Sequence, residues 1–103
     1  MPGYCVSPQA EKDLDELARY IAQDNVDAAL RLYDMARATY ETLAENPMIG
    51  NSYPALNAEL VGLQFFPIRS FPKYLVFYVA SDHTDITVIR VLHGSRKIGA
   101  LIS

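Results

Sequence analysis

The last third of the chain places the tightest limits on its fold. Two apolar, strand-like runs, Tyr74-Leu75-Val76-Phe77-Tyr78-Val79-Ala80 and Asp85-Ile86-Thr87-Val88-Ile89-Arg90-Val91-Leu92, flank a polar stretch, Ser81-Asp82-His83-Thr84, that reads as a hairpin turn. Period two puts Ile86, Val88, Arg90 and Leu92 on one face of the second run and Thr87, Ile89, Val91 and His93 on the other. Both faces are largely apolar, so this hairpin is expected in the interior of a sheet rather than at its edge. Arg90 on such a strand must reach the rim or find an acceptor, because an unpaired buried charge is very costly.

The second run empties into His93-Gly94-Ser95-Arg96-Lys97, where imidazole, hydroxyl and cationic groups cluster. Arg69 and Lys73 are candidates to lie beside them. A histidine between arginines can carry a proton while the arginines hold a phosphate or a carboxylate. That combination suffices for metal-free RNA cleavage, in which a 2′-hydroxyl attacks its neighbouring phosphate. The simpler reading of the same residues is a strand end whose polar groups anchor the C-terminal tail.

Composition narrows the class. With 103 residues, 50% of them hydrophobic, a single domain spanning 1–103 with its own core is expected. No apolar run approaches the roughly 18–20 residues that cross a bilayer, and Met1-Pro2-Gly3-Tyr4 lacks the basic and apolar regions of a signal peptide. A cytoplasmic location and no membrane contact are therefore expected. The single cysteine, Cys5, has no partner for an internal disulfide and is expected as a small buried hydrophobe.

The net charge of −3 is unevenly spread. Residues 1–60 carry four cations against ten carboxylates, and residues 61–103 carry five against two. An acidic total argues against general nucleic-acid binding and leaves room only for a local basic face in the C-terminal part. The chain has no Gly-rich phosphate loop, no paired metal-ligand spacing and no nucleophile elbow. Its two histidines, His83 and His93, are too few for a zinc site, so no metal or cofactor is expected. His83 reads as a solvated turn residue, and Glu11, Asp15 and Glu16 as a solvated helix face.

Upstream, Gly3 to Val6 reads as a short strand. Ser7-Pro8 is a helix start, with Ser7 as cap and Pro8 at the first helical position. Leu14, Leu17, Ala18 and Ile21 then follow helical spacing, with Glu11, Lys12, Asp15, Glu16 and Arg19 opposite. This helix should end near Gln23. Asp24 or Asn25 can cap a second, striped by Ala29, Leu32, Tyr33, Ala36, Tyr40 and Leu43 and stopped by Pro47. The short link makes the pair an αα-hairpin. Pro47 to Ala58 reads as loop, Leu60 to Phe66 as a strand interrupted by Gly62, and Pro67 to Pro72 as a tight connection. The expected fold is α+β: a short N-terminal strand, an αα-hairpin, then a three-stranded antiparallel meander packed on the helices. Tyr20, Tyr33, Tyr40, Tyr74 and Tyr78 read as core or rim, with the lining of a partner-peptide groove as the alternative.

This order of elements carries specific motifs: Glu45-Asn46-Pro47-Met48-Ile49-Gly50, Phe66-Pro67-Ile68-Arg69-Ser70-Phe71, Tyr74-Leu75-Val76-Phe77-Tyr78 and Ile89-Arg90-Val91-Leu92-His93-Gly94-Ser95-Arg96. Together they resemble the ParE branch of the RelE/ParE superfamily, the toxins of bacterial type II toxin–antitoxin modules. The resemblance implies a plasmid-stabilization-type toxin neutralised by a small ParD-like antitoxin in a hetero-oligomer, with DNA contacted only indirectly, through the antitoxin. It further implies a non-enzymatic mode of action, binding and poisoning DNA gyrase. Arg69, Arg90, His93, Arg96 and Lys97 are expected as the target-binding face, anchoring the target by polar contacts. Arg90 is expected to hold the last strand to its neighbour as well. Leu17, Ile21, Tyr33, Tyr40 and Tyr78 are the expected antitoxin-binding residues.

Two alternatives stand beside this. A RelE-like mRNA endoribonuclease would use His93 as general acid or base and Arg90 and Arg96 as phosphate ligands. The absence of any tyrosine after Tyr78 and the acidic total weigh against it. A degenerate, non-toxic member would keep only the antitoxin groove. In either case a short, apolar chain is expected to leave apolar surface exposed for a partner, with Ile98, Leu101 and Ile102 adding to it. The acidic helical half suits the attraction of basic antitoxin residues.

Overall fold

In the computed structural model, residues 3–54, 61–80 and 86–95 are described. Strand β1 (Tyr4–Val6) leads directly into helix α1 (Pro8–Ala22). Ser7 caps α1: its Oγ accepts the Ala10 N–H at 3.1 Å, and Pro8 occupies a position where no N–H is needed. Asn25 caps helix α2 (Val26–Glu45) in the same way, its Oδ1 accepting the Ala28 N–H at 3.0 Å. Asn46 ends α2 immediately before Pro47, as the steric restriction on a residue preceding proline requires.

Strands β2 (Asn51–Ser52), β3 (Gln64–Ile68), β4 (Phe71–Ala80) and β5 (Ile86–His93) complete a five-stranded sheet ordered β1-β5-β4-β3-β2. β1 runs parallel to β5, and the other neighbours are antiparallel. The α+β expectation and the interior placement of the β4–β5 hairpin both hold. The polar stretch expected to join these strands, His83 included, lies outside the described residues, as does the tail bearing Arg96, Lys97, Ile98, Leu101 and Ile102.

Several boundaries differ from expectation. A fifth strand, β2, forms within the segment read as loop, because Asn51 and Ser52 pair with Phe65 and Gln64 at the sheet edge. Val61 and Gly62 form a turn rather than a strand, with Gly62 at φ 85°. β3 instead continues through Pro67 and Ile68, and the connection shrinks to Arg69 and Ser70. Pro67 is tolerated because it faces the same outer edge as Leu63, whose carbonyl accepts Tyr53 N–H, and β2 pairs only with Gln64 and Phe65, so no ladder hydrogen bond is demanded of its nitrogen.

Both sheet faces carry apolar clusters, the larger and more deeply buried one on the helix side. On the helix side, Ala10, Leu14, Ala18, Leu32, Ala36, Tyr40 and Leu43 pack against Ile68, Val76, Tyr78, Ile86, Val88 and Val91. On the other side, Leu63, Phe77 and Leu92 are buried among Tyr53, Phe65, Leu75, Val79 and Ile89. Tyr53, Phe65 and Phe77 form an aromatic triad with ring centroids 5.6–6.2 Å apart.

The strict alternation expected along β5 fails midway. Tyr78 pairs with Val88 but Phe77 pairs with Arg90, so Ile89 is an extra residue, a β-bulge. Beyond it the faces exchange. Val91 joins the helix-side core and Leu92 the opposite one, the reverse of the period-two assignment. Cys5 is also corrected: it is exposed rather than buried, because β1 is an edge strand that turns Tyr4 and Val6, not Cys5, toward the helix-side core.

Candidate functional site

A groove of about 600 Å³ runs between α1 and the ends of β4 and β5, lined by Asp13, Glu16, Tyr20, Lys73, Tyr74, Arg90 and His93 among others. Its floor is an ion pair. Arg90 Nε donates to Asp13 Oδ2 at 2.7 Å and Nη2 donates to Oδ1 at 3.0 Å. The same carboxylate accepts the Val91 N–H at 3.1 Å and the Gln9 amide at 3.2 Å. Asp13 is 5% exposed and the Arg90 side chain 17%. Hydrogen bonding to Asp13 raises the Arg90 pKa above its ordinary value, against the opposing effect of burial. Arg90 therefore finds its acceptor on α1 and holds β5 to that helix.

His93 sits at the groove's end, edge-on to Tyr74 with ring centroids 5.5 Å apart. Its Nδ1 accepts the Ser95 N–H at 3.1 Å, and Ser95 Oγ lies 2.6 Å from the same nitrogen. A backbone N–H can only donate, so the neutral ring carries its proton on Nε2. Gly94 N–H donates to the Lys73 carbonyl at 2.8 Å, which fastens this exit to β4. Burial raises the Tyr74 hydroxyl above the usual tyrosine range, helped by the nearby Tyr20.

The structure brings Arg90 and His93 into one groove, joined by Lys73 and Ser95. It does not bring Arg69 there. Arg69 is exposed in the β3–β4 turn, where its N–H donates to Thr39 Oγ1 at 3.0 Å, and it lines a separate groove with Thr39, Phe66 and Pro72. Arg96 and Lys97 lie outside the described residues.

The expected antitoxin-binding set divides similarly. Leu17 and Ile21 are half-buried, and Tyr33 is exposed with its hydroxyl donating to Asp15 Oδ1 at 2.7 Å. Tyr40 and Tyr78 are core residues at 5% and 0% exposure, so they present no surface to a partner. Tyr78 has a structural task instead. Its hydroxyl donates to the Pro47 carbonyl at 2.8 Å and accepts the Gly50 N–H at 3.1 Å, pinning the loop after α2. A side chain at Gly50 would collide with that hydroxyl, which is why this position is glycine. Exposed apolar side chains are found instead at Tyr20, Val26 and Leu30 on the helical hairpin, and at Met48, Ile49 and Val61.

Asp13 is the residue that sequence reasoning passed over. It hides in an acidic run whose other members, Glu11, Asp15 and Glu16, are exposed as expected. The available signal was position: Asp13 lies three residues after Ala10 and four before Leu17, on the buried stripe of α1.

Comparison with known proteins agrees with this architecture. The family model described as "ParE toxin of type II toxin-antitoxin system, parDE" matches residues 4–98. No curated protein matches the sequence. Among solved structures, the "Chromosomal ParDE TA system from P. aeruginosa" superposes with a TM-score of 0.67 at 15% identity, covering 90% of this chain and 96% of that one. At that identity the likeness speaks for the fold, whereas the family match spans nearly the whole sequence. The chain belongs to the ParE toxin family of type II toxin–antitoxin systems.

Proposed function

We propose that this chain is the toxin of a type II module, held inactive by a small ParD-like antitoxin, and that it acts without catalysis by binding DNA gyrase. The observation that carries the non-enzymatic reading is the state of the two groups a nuclease would need. The Arg90 fork is engaged by a buried carboxylate rather than facing a phosphate, and His93 Nδ1 is engaged by Ser95. Both read as parts that shape a surface. In this reading Arg90, His93 and Lys73 belong to the gyrase-contacting groove; Arg96 and Lys97, expected on the same target-binding face, lie outside the described residues. Arg69, on its separate groove, would make a second contact. Tyr20, Val26, Leu30 and Tyr33 give the acidic helical hairpin an exposed apolar surface suited to an antitoxin segment. DNA would be met only through the antitoxin.

Controlled expression tests this. Growth should stop when the chain is expressed and resume when a small protein from the adjacent reading frame is co-expressed, with cellular mRNA intact throughout. Arrest with mRNA cut at discrete sites would favour the endoribonuclease reading. No arrest, with the antitoxin complex still formed, would favour a degenerate toxin.

A further inference from the structure

We propose that Asp13 is a positioning residue that sets the register of β5 and thereby decides on which sheet face His93 stands. Both faces of β5 are largely apolar, the helix side buried at Ile86, Val88 and Val91 and the other side buried at Leu92 and half-buried at Ile89, so hydrophobicity alone discriminates weakly between the bulged strand and a regular one. Backbone partners discriminate well. Along the outer edge of β5, Ile86 N–H donates to the Gly3 carbonyl at 2.9 Å, and the Val88 carbonyl accepts Ser7 N–H at 3.0 Å. β1 ends at Val6, so the rest of that edge has no strand beside it. Two α1-side groups take over. Ser7 Oγ donates to the Ile89 carbonyl at 2.9 Å, and Asp13 accepts Val91 N–H at 3.1 Å.

Regular alternation from Ile86 and Val88 would bring the N–H of Arg90 to that edge, not that of Val91. Asp13 therefore meets Val91 N–H only in the bulged register, and the Arg90 fork closes on the same carboxylate. In the regular register the carboxylate would lose the Val91 N–H. Val91 and His93 would turn to the face of Phe77, and Leu92 would turn toward the helices. One buried carboxylate thus separates two arrangements of the strand that leads into the groove. The consequence for target binding rests on the function proposed above; the register itself does not.

The test is nuclear magnetic resonance on the full chain. In the unsubstituted protein, His93 ring protons should give cross-peaks to Tyr74, and Val91 N–H should exchange slowly. The pair Asp13→Leu/Arg90→Met, matched in side-chain branching and length, removes both charges and the acceptor, and replacing a buried ion pair by packed apolar groups commonly preserves folding. In it, Val91 N–H should exchange about 10- to 100-fold faster. His93 should show a second set of signals, with contacts to Lys73 or Leu75 replacing those to Tyr74. A folded double variant with a single His93–Tyr74 contact set and unchanged Val91 exchange overturns the proposal. So does a double variant that fails to fold, since the pair would then be a stability element and not a register selector. Gyrase inhibition measured alongside separates the two claims: a shifted register with undiminished inhibition refutes the groove as target surface and leaves Asp13's role standing.

Discussion

Asp13 and Arg90, 77 residues apart in sequence, meet as a two-pronged ion pair with Nε–Oδ2 at 2.7 Å and Nη2–Oδ1 at 3.0 Å. The pair joins α1 to β5. Surface ion pairs contribute little, but removing one member of a buried, fully hydrogen-bonded pair strands a charge.

Asp13→Ala and Arg90→Ala should each lower stability by about 3–5 kcal/mol. The exposed Arg69→Ala should change it by less than about 0.5 kcal/mol. Urea denaturation midpoints, read at equal slopes, check the ranking. Equal effects for Arg90→Ala and Arg69→Ala would contradict it.

Tyr40 offers a contrast. Its hydroxyl is buried and finds no hydrogen-bond partner among the described residues. Burial holds its pKa, and that of Tyr78, above the usual tyrosine value. In the unfolded chain both would ionise near about 10. Above that pH the folded state keeps more protons than the unfolded state, so stability falls as pH rises and is unaffected by these groups below it. Tyr40→Phe should stabilise the protein by about 1 kcal/mol at neutral pH and flatten the alkaline decline. Thermal melts from pH 7 to 11 measure both effects.

Tyr78→Phe should do the opposite. Its hydroxyl serves the Gly50 N–H and the Pro47 carbonyl, and the carbonyl would keep only the Gln64 amide, at 3.0 Å. The expected loss is about 1–3 kcal/mol. Gly50→Ala should destabilise by a similar amount, about 1–3 kcal/mol, by driving a methyl group onto a hydroxyl that cannot move. Calorimetry of the two variants checks the pin.

Cys5 should react with a thiol reagent in the folded protein, without denaturant, because it stands exposed on an edge strand. Stoichiometric labelling before unfolding is the expected outcome. Labelling only in denaturant would contradict that placement.

These residues also mark how far sequence reading reaches. Ser7, Pro8, Asn25 and Pro47 announce the helix ends through local chemistry, and the structure keeps each of them. The β4–β5 hairpin was legible from its two-sided apolarity. What escaped depends on non-local partners. Period two carries no sign of the extra residue at Ile89, which exists because Ser7 and Asp13 satisfy the displaced backbone. Helical spacing puts Tyr40 on a stripe, and strand composition puts Tyr78 in a run. Neither pattern separates a tyrosine that faces a partner from one that closes a core. Cys5 was misjudged because residue type favours burial, whereas an edge strand offers its outward face nothing to pack against.

The most direct measurement is gyrase-catalysed plasmid supercoiling with the purified chain titrated in, paired with a labelled RNA in the same buffer. Supercoiling should fall with increasing chain, broken DNA should accumulate, the RNA should stay intact, and added antitoxin should restore the enzyme. Undiminished supercoiling at saturating chain, together with RNA cleavage abolished by His93→Ala, would contradict the proposed function.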